Sequence, residues 1–244
     1  MEKIDVVYKL GIGSKFEDLE LRYSLRSLQN LPYIGNVFII GNKPLWVKNI
    51  IHIPHIDCYT NNKDGNLLSK LLLACYDERL SKRFIHFSDD QVILKKTPIE
   101  IFERPTIENR HINFTGLQRL NRWQSRLKRT INVLKERGYK WNCYEGHIPY
   151  MLSKDLFSKT ILQYDYGYDI GYCGNTLYFN SINAAGIENS QSVLIRIQKP
   201  YESVNELEKE VQNQYFLNYT ESASNQHLFL FLRKLFPEKS KYEE

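Results

Sequence analysis

Two adjacent carboxylates interrupt an otherwise apolar part of the chain. In the stretch RFIHFSDD, residues 83–90, Asp89 and Asp90 follow a run with the character of a buried strand. Neighbouring carboxylates repel each other and resist removal from water, so a divalent cation between them makes the arrangement favourable. Mg²⁺ and Mn²⁺ prefer oxygen ligands and commonly take one or two carboxylates together with substrate phosphates. The pair therefore predicts a metal and nucleotide site, and a turn that begins with Asp is the plain alternative.

The elements around the pair predict its place in the fold. Strand-like and helical patterns alternate in the order strand, helix, strand, strand, helix, strand, which indicates an α/β layer with a mostly parallel sheet flanked by helices. In open sheets of this class, ligands bind beyond the carboxyl ends of the strands, where Asp89 and Asp90 stand. The strand patterns cover residues 4–10, 36–40, 49–53 and 84–87, and the helical patterns cover residues 17–28 and 63–80.

The rest of the chain is predicted to complete a single domain over residues 1–244. Residues 1–115 are expected to form its first half, and residues 116–244 its second half with a C-terminal helical portion. Strands are predicted at 110–114 and 192–197, and helices at 118–137, from 153, from 203 and at 224–235.

Several stretches resemble the bacterial Stealth proteins, which are sugar-phosphate transferases that use nucleotide-sugar donors in capsule synthesis. KDGNLLSK (63–70), with the Asp-Asp strand and the His-x-Pro element, is also similar to small virus-borne sugar transferases. The resemblance implies a GT-A-like fold, Mn²⁺ or Mg²⁺ as the metal, and a UDP- or GDP-sugar as the donor. It also implies that residues 1–115 are the donor-binding half and that residues 116–244 are the acceptor side. The Stealth-like stretches are IDVVY, ELRYSLRSL (20–28), NVFIIGN with PLW after it, RFIHFSDD, GHIPYMLSK (146–154) and FLRKLFPEKSKYE.

A site of this type must bind a base, a ribose and a diphosphate. Tyr8, near the end of the first strand, is expected to stack on the base, and core packing is the alternative. Arg22 and Arg26 lie one helical turn apart and are expected to face the phosphates, with a solvated surface as the alternative.

One helix is predicted to present three more groups to the donor. Lys63, Asn66 and Lys70 recur at spacings of three and four, so a single helix face can carry all of them. A lysine offers phosphate a flexible point charge, and Asn can bond sugar hydroxyls.

The resemblance also points to the catalytic residues. His147 of the His-x-Pro element is the best candidate for a third metal ligand, for a contact to the leaving diphosphate, or for a catalytic base, since His titrates near neutrality. Asp165 and Asp169 lie in a loop rich in Tyr and Gly that can line a sugar pocket. Asp169 is the preferred base for an acceptor hydroxyl, and Asp90 is expected to act in catalysis as well as in metal binding.

A basic helix suggests the nature of the acceptor. Residues 119–140 hold eight basic residues and one acidic residue, against a net charge of +5 for the whole chain. Arg119, Arg122, Arg126 and Arg129 form a stripe beside an apolar one. Such a face suits a polyanion. Hydroxymethylated pyrimidines in DNA are the favoured acceptor, an anionic or lipid-phosphate-linked glycan is the other candidate, and an ordinary solvated face is the plain alternative.

Three functions follow from these residues. The first is metal-dependent transfer of a sugar to a hydroxyl acceptor, and the second is Stealth-type transfer of sugar 1-phosphate. The third is a non-catalytic nucleic-acid-binding module on a transferase scaffold. No apolar run approaches the roughly 20 residues that cross a bilayer, and the four cysteines show no CxxC spacing. We therefore expect a reduced cytoplasmic protein.

Overall fold

The computed structural model describes residues 3–12, 14–108, 114, 119–188 and 193–244. The described residues form ten strands and eight helices. The strands are β1 Ile4–Leu10, β2 Ile34–Gly41, β3 Ile51–Ile53, β4 Arg83–Phe87, β5 Gln91–Ile93, β6 Thr106–Ile107, β7 Tyr150–Ser153, β8 Ile187–Glu188, β9 Leu194–Ile197 and β10 Phe216–Tyr219. The helices are α1 Leu19–Ser27, α2 Lys63–Tyr76, α3 Glu100–Glu103, α4 Arg122–Glu136, α5 Lys154–Ile161, α6 Gly174–Ser181, α7 Val204–Val211 and α8 Gln226–Leu235.

The central sheet has five strands in the order β3-β2-β1-β4-β7. Strands β3, β2, β1 and β4 are parallel, and β7 pairs with β4 in the antiparallel direction. Strand β1 is buried along almost its whole length because it lies in the middle of the sheet, as its run of apolar residues requires. The predicted mixed α/β fold with a mostly parallel sheet flanked by helices is confirmed.

A second sheet is attached where Asp90 ends the turn after β4. Strand β5 begins at the next residue and pairs with β10, which in turn pairs with β9. Residue Asn218 of β10 stands opposite Gln91 of β5. The turn that carries Asp89 and Asp90 is therefore held between two sheets.

The predicted halves of the chain interleave in space. Strand β7 completes the sheet of the first half, and β10 pairs with a strand of the first half. The main apolar cluster contains residues from Ile4 to Tyr242. The division at residues 115 and 116 thus does not coincide with a boundary between cores.

Several predicted element bounds change. Helix α4 begins at Arg122, where Asn121 and Gln124 form a capping box, and not at residue 118. Strands β7 and β10, of four residues each, are not among the predicted elements. The predicted strand at 110–114 lies, apart from Phe114, outside the described residues.

Two further observations concern the surface and the cysteines. In the described part of the chain, no helix has both the length and the apolar character needed to cross a bilayer. All four cysteines are free, and only Cys58 is exposed.

Candidate active site

A cleft opens at the carboxyl ends of the central strands. Strands β1 and β4 are parallel neighbours with Tyr8 opposite Phe87, so the residues that follow them reach the same edge of the sheet. The cavity at this edge, which we call the main cleft, has a volume of about 570 Å³. Its lining includes Lys9, Lys63, Lys70, Asp89, Asp90 and His147.

Asp89 and Asp90 lie at this edge and keep part of their surface exposed to the cleft. Burial raises the pKa of Asp89. Burial and the neighbouring charge of Asp89 raise the pKa of Asp90 to about 6, although a hydrogen bond from Asn218 opposes the shift. The charged pair is therefore unfavourable in the protein alone, and a counter-charge in the cleft would relieve it.

The oxygen-only donor set fits a hard divalent cation. Among the described residues, no three His, Cys, Asp or Glu side chains are grouped as a metal site. The structure therefore does not join His147 to the two aspartates as a third ligand. Mg²⁺ and Mn²⁺ do not require one, because they complete a site built on two carboxylates with water and substrate phosphate.

His147 still lines the main cleft. Its backbone has a φ of 53°, in the left-handed region. Burial, then the charges of Arg196 and Arg126, lower its pKa to about 4. The imidazole is therefore neutral near pH 7 and can accept a proton or donate its single N–H.

Two of the three predicted groups on α2 face the main cleft. Lys63 is exposed at the first turn of the helix. The side chain of Asn62 caps this turn, because its Oδ1 accepts a hydrogen bond from Gly65 N at 2.7 Å. The charge of Lys63 lowers the pKa of Asp89 against the effect of burial. Lys70 is buried, and its Nζ lies 2.6 Å from Asp57 Oδ1.

The third group, Asn66, does not line the main cleft. Its Oδ1 accepts hydrogen bonds from Cys58 N and Tyr59 N, and its Nδ2 donates to Tyr59 O at 2.9 Å. Because Asn66 is buried and its amide is occupied in this way, it fixes the loop before α2.

Lys9 is a cleft residue that the sequence interpretation missed. It lies in β1, one residue before the strand ends, where the strand pattern gives no sign of a buried charge. Burial lowers its pKa to about 8, while four carboxylates oppose the shift, namely Glu145, Asp64, Asp89 and Asp90. A cation thus lies close to the aspartate pair.

Three residues predicted to contact the donor do not line the main cleft. Tyr8 is fully buried, with its hydroxyl 2.8 Å from Ser24 Oγ, so it packs in the core and cannot stack on a base. Arg22 and Arg26 both bind the carboxylate of Glu243, at 2.6 Å for Arg22 Nη1 and 2.8 Å for Arg26 Nε. Neither arginine lines the main cleft.

Three of the four arginines of the predicted basic face bond to the protein itself. Arg122 donates to Asn61 O at 2.7 Å, and Arg126 forms an ion pair with Asp64. Arg129 donates to Tyr168 O at 2.7 Å, and its guanidinium lies over the Tyr172 ring. Of the four arginines, Arg119 alone is exposed and makes no such bond to the described residues. Two of the four arginines, Arg126 and Arg129, thus lie beside carboxylates of the same chain.

Asp169 lies away from the aspartate pair. It lines a separate cavity beside α4, where its Oδ2 lies 3.5 Å from Arg129 Nη1. Neither it nor the exposed Asp165 lines the main cleft. The structure thus does not bring the predicted acceptor base to the site.

A second, smaller cavity of about 190 Å³ adjoins the main cleft, and we call it the inner chamber. The two cavities share Lys9, Leu67, Ser88 and His147. Arg126 of the predicted basic stripe lines the chamber, and so do two polar groups that no sequence pattern marked, His86 and Glu145.

Comparison with known proteins gives likenesses of fold. No family model matches the chain, and no curated protein sequence matches it. A glycosyltransferase involved in glycosylation of the major capsid of PBCV-1 is 10% identical with a TM-score of 0.44, over 88% of this chain and 93% of that one. The galactosyltransferase LgtC with donor and acceptor sugar analogues is 10% identical with a TM-score of 0.49, over 99% and 98%. An active-site mutant of LgtC is 9% identical with a TM-score of 0.49, over 98% of both chains. At these identities, no residue role passes from these proteins to this chain.

Proposed function

We propose that the protein is a metal-dependent glycosyltransferase that moves a sugar from a nucleotide-sugar donor to a hydroxyl acceptor. The observation that carries the proposal is the pair Asp89 and Asp90, partly buried at the carboxyl end of β4 with pKa values raised by burial. Such a pair is favourable only with a positive counter-charge in the cleft.

The chain's own residues suggest how a donor is held. Asp89 and Asp90 would hold Mg²⁺ or Mn²⁺, which when bound neutralises the diphosphate and stabilises the leaving group. Lys63 and Lys9 add positive charge beside Asp89, and both lower the pKa of that carboxyl against the effect of burial. Asp89 and Asp90 in turn raise the pKa of Lys9 against the effect of its burial. Lysine ammonium groups beside a carboxylate pair that holds a metal suit a diphosphate, because each offers it a point charge.

In the proposed reaction, the acceptor hydroxyl attacks C1 of the donor sugar. The bond from C1 to the phosphate oxygen breaks, the nucleoside diphosphate leaves, and the hydroxyl proton passes to a base or to water. We propose that His147 contacts the leaving diphosphate, because it is neutral and lines the main cleft. A bound anion would raise its pKa toward the range of a useful proton acceptor.

The acceptor is proposed only as a hydroxyl compound. The DNA hypothesis depended on an exposed arginine stripe, and three of its four members bind their own chain. Transfer of sugar 1-phosphate differs in the bond that breaks and releases a nucleoside monophosphate in place of a diphosphate.

The test is incubation with a panel of UDP- and GDP-sugars plus Mn²⁺, with hydroxymethylated DNA, plain DNA and simple glycosides offered in parallel. We expect release of a nucleoside diphosphate that Asp89→Asn and Asp90→Asn abolish while both variants stay folded. Release of a monophosphate would favour sugar 1-phosphate transfer. Steep salt-dependent DNA binding that both substitutions leave intact, with no donor hydrolysis, would favour the nucleic-acid-binding module.

A further inference from the structure

The inner chamber lies between the central sheet and helix α2. Side chains at alternate positions of a strand share one face, and Val7 stands opposite His86 in neighbouring parallel strands. Lys9, His86 and Ser88 therefore point to the same side of the sheet, where all three line the chamber. Its apolar wall comes from α2 and α5, through Leu67, Leu68, Leu71 and Phe157.

Two polar groups in the chamber lack partners in the protein. His86 is only 7% exposed, and neither of its ring nitrogens has a hydrogen-bond partner among the described residues. Arg126 Nε is likewise buried and unpartnered, although Nη1 of the same side chain binds Asp64. Buried polar atoms are almost always bonded, so each exception needs a cause. A ligand that enters the chamber supplies one.

The unpartnered groups indicate the chemistry of that ligand. Burial, then the charge of Lys9, lower the pKa of His86 well below its usual value, so the ring is neutral. A neutral imidazole has one donor and one acceptor, the same pair that a hydroxyl group presents. Glu145 adds a carboxylate, whose Oε1 already accepts from Thr176 N at 2.9 Å. Polar groups on one side and leucines on the other match a ring with hydroxyls at its edge and C–H groups on its face.

We propose that the inner chamber binds the glycosyl ring of the donor and that His86 bonds one of its hydroxyls and so selects the sugar. This assignment rests on the proposed function. The volume of about 190 Å³ lies below the roughly 300–1,000 Å³ of ordinary ligand pockets, so the chamber admits one small ring and not a nucleoside diphosphate.

The position of the chamber favours the donor over the acceptor. Lys9 and Ser88 line both cavities, and Ser88 directly precedes Asp89. A diphosphate at the aspartate pair would therefore place the attached sugar at the entrance to the chamber. The acceptor would then have to reach C1 of that sugar from the solvent side, because the diphosphate and the sugar ring occupy the cleft and the chamber.

The test separates sugar recognition from nucleotide binding. Affinities for UDP, GDP and their glucose, galactose, mannose and N-acetylglucosamine derivatives are measured with Mn²⁺ for the wild type, His86→Leu and His86→Gln. The matched control is His52→Leu, which changes a histidine of β3 in the same sheet that lines neither cavity. Free monosaccharides are titrated in parallel while the His86 ring signals are followed by NMR.

We expect His86→Leu to reduce the discrimination between epimeric nucleotide-sugars by about tenfold, the size of one hydrogen bond to a buried polar group. Affinity for the nucleoside diphosphate should stay within about twofold, His86→Gln should restore part of the discrimination, and His52→Leu should change neither quantity. Unchanged discrimination in His86→Leu, or a change confined to the KM of the acceptor, overturns the assignment.

Failure of the proposed function gives a different result. If the wild type binds no nucleotide, the glycosyltransferase proposal fails, and the free monosaccharides then test the chamber alone. His86→Leu identifies the His86 ring signals, because they are missing from its spectrum. A shift of these signals on addition of monosaccharide supports a sugar site, and signals that stay unshifted at high monosaccharide concentration overturn it.

Discussion

Two hydrogen bonds join Arg26 to Glu243, although 217 residues separate the two in the sequence. Arg26 Nε donates to Glu243 Oε1 at 2.8 Å, and Arg26 Nη2 donates to Oε2 at 2.8 Å. The Glu243 side chain is fully buried in this contact. Two backbone bonds fix the same segment, from Lys48 N to Tyr242 O and from Glu244 N to Trp46 O, each at 3.0 Å. The arginines of α1 thus hold the segment that contains Glu243 against the helix.

Replacing Glu243 should destabilise the protein. Glu243→Gln leaves two guanidinium groups without their shared carboxylate, and we expect a loss of about 2–4 kcal/mol in the free energy of unfolding measured by urea denaturation. Glu244→Gln is the matched control, because Glu244 is exposed, and it should change the free energy by less than about 0.5 kcal/mol. Equal effects of the two substitutions would contradict a specific role for Glu243.

The same pair predicts a pH dependence of stability. Burial alone would raise the pKa of Glu243, but hydrogen bonds from Arg26, Ser240 N and Arg22 outweigh it and hold the pKa at about 2. Because this pKa is lowered, Glu243 contributes fully to the free energy of unfolding above its ordinary pKa of 4.5. The contribution is lost as the pH falls from there toward 2. Acid denaturation of Glu243→Gln should lack this part of the transition.

Replacing Asp90 should stabilise the protein while it removes activity. The pKa of Asp90 is raised to about 6, so its charged form is unfavourable above that pH and becomes neutral as the pH falls below it. At pH 7.5 we expect Asp90→Asn to raise the free energy of unfolding by on the order of 1–3 kcal/mol without metal. Calorimetry should show that added Mn²⁺ and nucleoside diphosphate stabilise the wild type and not the variant. A destabilised Asp90→Asn protein would contradict a strained carboxylate pair.

The sequence predicts the sheet and the aspartate pair because both depend on local pattern. The apolar run of β4 ends abruptly in Ser88 and two carboxylates, and the α/β order of elements places that end at the ligand-binding edge. Strand β10 was missed although it holds the turn in place, since FLNY is too short to form a clear alternation and its partner β5 lies more than 100 residues away.

The errors in the site have a common physical cause. The Arg22 and Arg26 side chains have the spacing of a phosphate-binding pair, but their partner Glu243 is distant in sequence. Asn66 and Arg126 likewise find partners in loops and helices that no local pattern identifies. Lys9 and His86 look like ordinary strand positions until the packing of α2 shows that they line cavities. Pairing of polar groups is a property of the tertiary structure and is not encoded by spacing.

Replacing Arg126 should affect stability more than DNA binding. The guanidinium forms a partly buried ion pair with Asp64, so Arg126→Met leaves an unpaired carboxylate next to the inner chamber. We expect a loss of about 2–4 kcal/mol in the free energy of unfolding, and the double variant with Asp64→Asn should recover part of it. The salt dependence of DNA binding should be the same in Arg126→Met and the wild type. A plot of log affinity against log salt concentration whose slope is smaller by about one unit in Arg126→Met would show instead that Arg126 contacts a DNA phosphate.

The charge of Lys9 should set the alkaline limit of activity. Its pKa of about 8 means that free enzyme loses this cation above that pH, and kcat/KM reports the groups of the free enzyme. We expect kcat/KM for the donor to fall above pH 8 in the wild type. Lys9→Met should lower kcat/KM by about 10²–10³ at pH 7, and its profile should lack the alkaline fall.

Because the lowered pKa makes the charged amine unfavourable in the fold, Lys9→Met should not reduce stability at pH 7. Lys3→Met is the matched control, since it lies exposed just before the same strand and should leave the profile unchanged. An alkaline limb that persists in Lys9→Met would assign the titration to another group and remove Lys9 from the diphosphate site.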